Sequence, residues 1–313
     1  MAGETILVVG GSGFVGRHIV NRLVGDGYKV IVPTRRQGNA NELKLLPTVD
    51  IVECDVHRPP ELQRLVARAA AVINLVGILN ESGSNTFARA HAELPRAIVA
   101  ACTAARVRRF LHMSALHADP AGPSRYLRSK AEGEAIVTGS GLDWTIFQPS
   151  VIFGREDSFL NMFAKLLRFA PIMPLAAADA RFQPVYVGDV AECFARALPL
   201  DATFGRKYPL CGPEIYSLRD LVRYVGSLTG ESPPIVRLGP KLAAMQAAVL
   251  EHLPGKLMTR DNLASMAKDS VCECAFPAIF GVAPQALESV APNYLGPAAL
   301  QSHYDVYRLR GGR

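Results

Sequence analysis

Tyr126 and Lys130 lie four residues apart in the segment Tyr126-Leu127-Arg128-Ser129-Lys130, which places both side chains on one face of a helix. A nearby ammonium group lowers the pKa of a phenol, so Tyr126 could exchange a proton with a carbonyl or hydroxyl group. Ser114, at the end of an apolar run, could hydrogen-bond the same oxygen, and Lys130 could also hold a nicotinamide ribose. We predict Ser114, Tyr126 and Lys130 as catalytic residues. The alternative is an amphipathic helix with an exposed lysine.

A glycine-rich turn follows the first apolar run near the start of the chain. Gly10, Gly13 and Gly16 fit GxxGxxG, while Gly11, Gly13 and Gly16 fit GxGxxG. Glycines at these offsets allow a tight turn and close approach of the backbone to a pyrophosphate, and the free amides at the helix start face the anion. The pattern predicts a dinucleotide site formed by Gly10, Gly13, Phe14, Val15 and Gly16.

The residues after the second apolar run indicate which dinucleotide binds. NAD-selective folds usually carry an acid there, which accepts a hydrogen bond from the ribose 2′-hydroxyl. This chain has Arg35 and Arg36 instead. A guanidinium can pair with a 2′-phosphate and stack on adenine, whereas a carboxylate would repel that phosphate. We therefore predict NADP(H) rather than NAD(H), with Arg35 the stronger candidate; the alternative is two solvated loop arginines.

Short apolar runs alternate with helical patterns through the first half of the chain. The predicted strands are Ile6–Val9, Val30–Pro33, Asp50–Glu53, Ala71–Val76, Phe110–Met113 and Thr145–Phe147. Continuous Val, Ile and Leu runs separated by helices are typical of a parallel sheet covered on both faces. The right-handed crossover rule favours a Rossmann-like, doubly wound α/β sheet.

The pattern changes after Pro149, where closely spaced prolines break the chain into short helices and strands, one of them predicted at Tyr208–Cys211. We predict an NADP(H)-binding domain over residues 1–150, rejoined by about 183–200. A smaller, irregular α+β lobe for substrate or partner then covers 151–313, with an interleaved boundary. The helix predicted at 241–253 is amphipathic, and most simply packs against this lobe.

Composition restricts the function classes. The chain has 313 residues, a formal net charge of +6 and 49% hydrophobic residues, which excludes a mainly disordered protein. The charge forms no dense basic stripe, which disfavours nucleic-acid binding. The cysteines show neither a CxxC pair nor zinc-ligand spacing, so no metal is predicted. Arg106, Arg108 and Arg109 are expected to be solvated.

Location follows from similar arguments. The first strand leaves no room for a signal peptide, and the most apolar stretch, Ala69–Leu79, is too short to span a bilayer. The expectation is a soluble, reduced, cytoplasmic protein. Peripheral association with the inner face of a membrane is the alternative.

The chain resembles short-chain dehydrogenases/reductases of the extended or atypical type. The resemblance lies in the glycine turn, in Ser114 and in the segments 126–134, 148–157 and 183–190. More narrowly, they are similar to the branch that holds the NADPH-binding accessory subunit of complex I (NADH-ubiquinone oxidoreductase) and its bacterial relatives. The likeness covers roughly residues 4–200. It implies that Asp55 and Val56 lie near the adenine, that Val76 and Gly77 lie beside the cofactor, and that the segment from Pro149 through Val151 to Ile152 lies near the nicotinamide.

Together these patterns predict an NADP(H)-dependent oxidoreductase acting on an apolar carbonyl or a quinone-related small molecule. Hydride would pass from C4 of the nicotinamide while Tyr126 delivers the proton. The resemblance also implies an alternative from another class, a non-catalytic NADPH-binding scaffold or assembly protein with a respiratory-complex or quinone-pathway partner.

Overall fold

The structure is a computed structural model that describes residues 3–252 and 256–296. Its strands, in chain order, are β1 (Thr5–Val9), β2 (Lys29–Thr34), β3 (Val49–Glu53), β4 (Ala71–Asn74), β5 (Arg109–Met113), β6 (Asp143–Pro149), β7 (Ile152–Phe153), β8 (Met173–Leu175), β9 (Arg181–Phe182), β10 (Val185–Tyr186), β11 (Arg206–Leu210), β12 (Tyr216–Ser217) and β13 (Ile235–Arg237).

The α-helices are α1 (Phe14–Gly25), α2 (Pro59–Val66), α3 (Leu94–Ala105), α4 (Arg125–Thr138), α5 (Phe159–Phe169), α6 (Val187–Ala197), α7 (Leu218–Thr229), α8 (Pro240–Leu250), α9 (Arg260–Ser265), α10 (Leu287–Val290) and α11 (Pro292–Leu295). A π-helix at Ala88–Glu93 precedes α3 directly, and 3₁₀-helices cover Gln37–Leu45, Asp201–Thr203 and Ala278–Phe280.

The main sheet has seven strands in the order β11-β6-β5-β4-β1-β2-β3, and all of its pairings are parallel. Leu7 and Val9 of β1 pack with α2 and α3, and α1 packs against α6. The predicted doubly wound, Rossmann-like sheet is confirmed. Because β1 pairs with both β2 and β4, the strand order reverses there, and the carboxyl ends of these strands frame a ligand crevice.

The chain divides into two compact units. Among the described residues, unit 1 consists of 3–149, Val187–Leu210 and Cys274–Ala283, and unit 2 of Ser150–Tyr186, 211–252, 256–273 and 284–296. Within those residues unit 2 contains three two-stranded sheets, and its core joins side chains of α5 and α7, such as Phe163 and Val222. Its irregular α+β character is as predicted. Leu253 of the predicted 241–253 helix and residues 297–313 of the predicted lobe lie outside the described residues.

The strand predicted at Tyr208–Cys211 within the second lobe is wrongly placed. This strand is β11, and it forms an edge of the main sheet by pairing in parallel with β6. Arg206 lies beside Thr145 at one end of the pairing, and Leu210 lies beside Pro149 at the other. An edge strand has a neighbour on one side only, so the backbone N–H groups on its open side make no ladder hydrogen bonds. Pro209, which has no N–H, is therefore tolerated in β11. The local pattern predicts a strand but does not identify its neighbour.

Arg109 is buried, contrary to the expected solvation. Its guanidinium donates to the carbonyl oxygens of Ala197 and Leu198, at 2.6 and 3.1 Å, and also to the hydroxyls of Thr145 and Thr203, at 2.9 and 3.0 Å. Burial lowers the pKa of Arg109 to about 10. The side chain therefore ties β5 to the end of α6 within unit 1.

Cys211 and Cys272 form a disulfide, so the expectation that the cysteines are reduced is wrong for this pair. They lie 61 residues apart in the chain, and their Cα atoms are 6.0 Å apart. Gln183 holds both ends, since its Oε1 accepts from the Cys272 amide at 3.0 Å and its Nε2 donates to the Gly212 carbonyl at 2.7 Å. The pairing depends on this tertiary contact and has no signature in the spacing of the cysteines.

Reducing this disulfide is expected to lower the free energy of unfolding by about 4 kcal/mol, because the bond restricts a long loop of the unfolded chain. Urea denaturation with and without dithiothreitol measures the change. In Cys274→Ser, which keeps the bonded pair, the reductant should have the same effect, and in Cys211→Ser it should have none. Equal stability of oxidised and reduced wild type would contradict the expectation.

Candidate functional site

A cavity of about 310 Å³ lies at the carboxyl ends of β1, β2, β3 and β4 in unit 1. This is the end of the sheet where the strand order reverses and where open α/β sheets bind ligands. The predicted cofactor residues that line it are Gly10, Gly13, Arg35, Asp55, Val56, Val76 and Gly77. Residues from four separate loops thus meet at one cavity.

The glycine turn is packed so closely that side chains are excluded. Gly10 has φ +88°, a conformation that glycine adopts without strain, and a Cβ on Gly16 would lie 2.3 Å from the Gly10 carbonyl oxygen. Helix α1 begins at Phe14, with Gly13 as its N-cap. The amides of Phe14, Val15 and Gly16 therefore belong to the first helical turn, where N–H groups have no intrahelical acceptor. This turn fits a bound pyrophosphate.

The part of the cavity at the ends of β2 and β3 contains more cationic and polar groups than predicted. Arg35 lines it and donates to Asn85 Oδ1 at 3.4 Å, whereas Arg36 is exposed and is not among the described lining residues. Arg89 and His57 also line the cavity, and the Arg89 guanidinium lies 3.8 Å from the Asp55 carboxylate. Arg89 comes from the π-helix after β4, and its position in the sequence does not indicate that it lines the cavity.

Lys130, one of the predicted catalytic residues, is buried. Its ammonium donates to the Met113 carbonyl at 3.2 Å, directly before Ser114, and a Cβ on Gly77 would lie 3.0 Å from Lys130 Nζ. The ring of Tyr126 contacts the His91 ring edge-on, with centroids 5.6 Å apart. Lys130 thus connects the end of β5 to the loop after β4, where the nucleotide cavity lies.

The Ser114 hydroxyl is buried and has no hydrogen-bond partner within the part of the chain that the structure describes. The Ser114 amide, by contrast, donates to the Phe147 carbonyl at 2.8 Å, which holds the residue in place. Buried hydroxyls nearly always have partners. A hydroxyl held rigidly without one can bond an oxygen of a bound ligand.

Burial dominates the electrostatics of the tyrosine and lysine. It raises the pKa of Tyr126 to about 12 and lowers the pKa of Lys130 to about 8, against the opposing charge of Glu134. The pKa of Tyr126 is thus shifted upward rather than downward as expected, because burial disfavours the phenolate. Tyr126 is a neutral phenol at physiological pH and can act as an acid.

His91, which no sequence motif marks, also contacts this group. Its Nε2 accepts from the Ile78 amide at 3.0 Å, so the ring proton lies on Nδ1, which bonds the Ser129 hydroxyl at 2.8 Å. Burial, with the charge of Lys130, lowers the pKa of His91 to about 2, so the ring stays neutral. Ser129 in turn donates to the Tyr126 carbonyl at 2.7 Å. His91 therefore positions the first turn of α4.

The two residues predicted near the nicotinamide differ in their surroundings. Pro149 ends β6, and its carbonyl accepts from the Leu116 amide at 3.0 Å. Val151 belongs to unit 2, where its carbonyl accepts from the Val185 amide at 2.9 Å. Neither is among the described residues that line the nucleotide cavity.

The model of the NAD dependent epimerase/dehydratase family matches residues 6–209, about two thirds of the sequence. The chain belongs to this family. The match covers the glycine turn, the predicted catalytic group and the main sheet except for Thr5 and Leu210 at its two ends, which agrees with the resemblance drawn from the motifs. NAD(P) binding is a property of this family.

Two of the named relatives have different kinds of function. The chain is 35% identical to NADH dehydrogenase (ubiquinone) 1 alpha subcomplex subunit 9, mitochondrial, of Rattus norvegicus, over 73% of this chain and 62% of that protein. It is 28% identical to the ceramide reductase of Caulobacter vibrioides, over 74% of this chain and 73% of that protein. The chain thus spans less than two thirds of the length of the rat relative.

Among solved structures, the NADPH-dependent quinone oxidoreductase of Escherichia coli, complexed with NADPH, has a similar fold. The TM-score is 0.74 at 18% identity, covering 91% of this chain and 98% of that chain. This similarity supports the fold only.

Within residues 3–252 and 256–296, no helix combines the length and apolar character needed to cross a bilayer. In the same ranges, no three or more His, Cys, Asp or Glu side chains form a group that could hold a metal ion.

Proposed function

We propose that the protein is an NADP(H)-dependent oxidoreductase that reduces a carbonyl of an apolar or quinone-related small molecule. The observation that carries this proposal is the buried, unpartnered hydroxyl of Ser114 beside the Lys130–Met113 hydrogen bond. A site that served only to hold a nucleotide has no need of a rigid, desolvated hydroxyl at the end of β5. The relative named ceramide reductase supports an apolar substrate.

The proposed catalytic residues have distinct roles. Bound NADPH would supply the hydride. Tyr126, whose pKa is raised to about 12, retains its proton until negative charge develops on the carbonyl oxygen and then donates it. The Lys130 ammonium stabilises the phenolate that Tyr126 becomes. The Ser114 hydroxyl donates a hydrogen bond to the carbonyl oxygen of the substrate.

The test is NADPH oxidation by the purified protein with a panel of apolar ketones and quinones. We expect oxidation with at least one of them at a rate well above the rate without protein. NADPH that binds but is not oxidised by any of them would argue against the proposal.

The preference for NADPH is also part of the proposal, with Arg35 pairing with the 2′-phosphate. Arg35→Ser is expected to weaken NADPH binding by about thirtyfold, the effect of one charge-assisted hydrogen bond, and to leave NADH binding unchanged. Dissociation constants from isothermal titration calorimetry test this. Arg36→Ser is the matched control, since Arg36 is not among the described lining residues, and should change neither constant by more than about twofold. Equal losses for NADPH and NADH in Arg35→Ser would reject the assignment.

A second candidate function is a non-catalytic scaffold or assembly protein that holds NADPH structurally. The similarity to a named complex I subunit favours it. This function would include a respiratory-complex or quinone-pathway partner and a cytoplasmic location with peripheral attachment at the inner face of a membrane. NADPH that co-purifies at one per chain, does not exchange and is not oxidised would support this candidate over the enzyme.

A further inference from the structure

Arg89 lies close to Arg35 in the cavity of unit 1, and the function proposed above gives it no role. Arg35 directly follows β2, whereas Arg89 comes from the π-helix after β4, and both residues line the cavity. The Arg35 guanidinium donates to Asn85 Oδ1, and the Arg89 guanidinium donates to the carbonyl oxygen of Ser84, each at 3.4 Å. Because Ser84 and Asn85 are consecutive residues, the two guanidiniums lie close together.

The charges on this wall of the cavity are unbalanced. Among the described lining residues, the charged side chains are those of Arg35, Arg89 and Asp55. His57 also lines the cavity but is neutral at pH 7, because burial lowers its pKa and the positive charges of Arg89 and Arg35 lower it further. Two guanidiniums thus share one carboxylate. Like charges repel at short range, so the pair favours a ligand group that carries more than one negative charge.

The contacts of Arg89 are easily exchanged for a ligand. Its guanidinium lies 3.8 Å from the Asp55 carboxylate, and each of these two side chains is about one third exposed. Ion pairs with this much exposure are weak. A guanidinium carries five N–H donors in a planar fork and can bond two phosphate oxygens at once. Arg89 can therefore turn from Asp55 to a phosphate with a small loss of free energy.

We propose that Arg89 is a second residue that selects NADPH, and that it pairs with the 2′-phosphate of the nucleotide together with Arg35. This inference rests on the NADPH preference proposed above and adds a residue to it. A phosphate monoester carries nearly two negative charges at neutral pH, and two guanidiniums neutralise them. With one guanidinium, about one of these charges would face the Asp55 carboxylate without compensation.

The test measures the NADPH and NADH dissociation constants of Arg89→Met by isothermal titration calorimetry on the full chain. Methionine keeps an apolar side chain of similar reach and removes the charge. NADPH should bind about tenfold more weakly than to wild type, because the lost phosphate contact is stronger than the exposed ion pair with Asp55 that it replaces. NADH affinity should change by less than about threefold, which also shows that the cavity is intact.

Arg96→Met is the matched control. The Arg96 guanidinium also lies 3.8 Å from a carboxylate, that of Glu132, but Arg96 belongs to α3 and is not among the described residues that line the cavity. Its replacement should change neither dissociation constant by more than about twofold.

Competition by adenosine 2′,5′-bisphosphate and by AMP distinguishes the 2′-phosphate from the pyrophosphate, since these two compounds differ by the 2′-phosphate alone. Arg89→Met should weaken the bisphosphate about tenfold and leave AMP unchanged. Equal losses for NADPH and NADH would overturn the inference and would indicate that Arg89 contacts the pyrophosphate. Unchanged NADPH affinity would overturn it as well.

These measurements separate the inference from the function on which it rests. If wild type prefers NADPH and Arg35→Ser abolishes that preference while Arg89→Met keeps it, the role of Arg89 fails and the NADPH preference stands. If wild type binds NADPH and NADH equally, both fail. Because every readout is a binding constant, the absence of NADPH oxidation would reject the enzyme without affecting the role of Arg89.

Discussion

Tyr126→Phe is expected to lower the rate of NADPH-coupled carbonyl reduction by about a thousandfold, the usual contribution of a positioned general acid. The ring and its edge-on contact with His91 are kept, so NADPH affinity should change by less than about twofold. Steady-state kcat and an independent NADPH dissociation constant separate the two effects. Turnover equal to that of wild type would remove Tyr126 from the chemistry.

The same proposal predicts a pH dependence. Burial lowers the pKa of Lys130 to about 8, so the ammonium is present below that pH and is lost as the pH rises through it. The wild-type reduction rate should therefore fall above about pH 8. Lys130→Met should reduce the carbonyl slowly at every pH, and its rate should show no fall above about pH 8. If the rate of Lys130→Met still fell above that pH, a group other than Lys130 would be the one that titrates.

Gly16→Ala is expected to weaken NADPH binding at least about a hundredfold and to lower the free energy of unfolding by about 3 kcal/mol. The new Cβ would lie 2.3 Å from the Gly10 carbonyl oxygen and 2.6 Å from the Gly11 Cα, so α1 must move away from the turn. That movement takes the first helical amides away from the position that a pyrophosphate requires. Fluorescence titration with NADPH and urea denaturation measure the two quantities.

Gly25→Ala in the same helix is the matched control. A Cβ there meets no described atom within 4 Å, so both affinity and stability should stay close to wild type or rise slightly. If Gly16→Ala bound NADPH as wild type does, the glycine turn would not be the pyrophosphate site.

The main features of unit 1 were predictable from the sequence because they depend on local patterns. Strand β1, the glycines at 10, 13 and 16 and helix α1 follow one another without interruption, and each has its own periodicity or backbone requirement. A helix carrying Tyr126 and Lys130 was predicted from their four-residue spacing, and both residues lie in α4. Such features involve residues close in the chain, so their types and order are sufficient.

The tertiary structure alone decided what depends on distant residues. Arg109 is buried because the end of α6, some 90 residues later, supplies carbonyl acceptors, and β11 joins the main sheet because β6 offers it an edge. Cys211 and Cys272 meet through Gln183, while His91 reaches the start of α4 from the π-helix. The pKa values of Tyr126 and Lys130 likewise follow from burial, which the spacing of the residues does not determine. The sequence alone thus specified which groups could do chemistry, whereas folding determined their partners and their exposure to water, and hence their protonation.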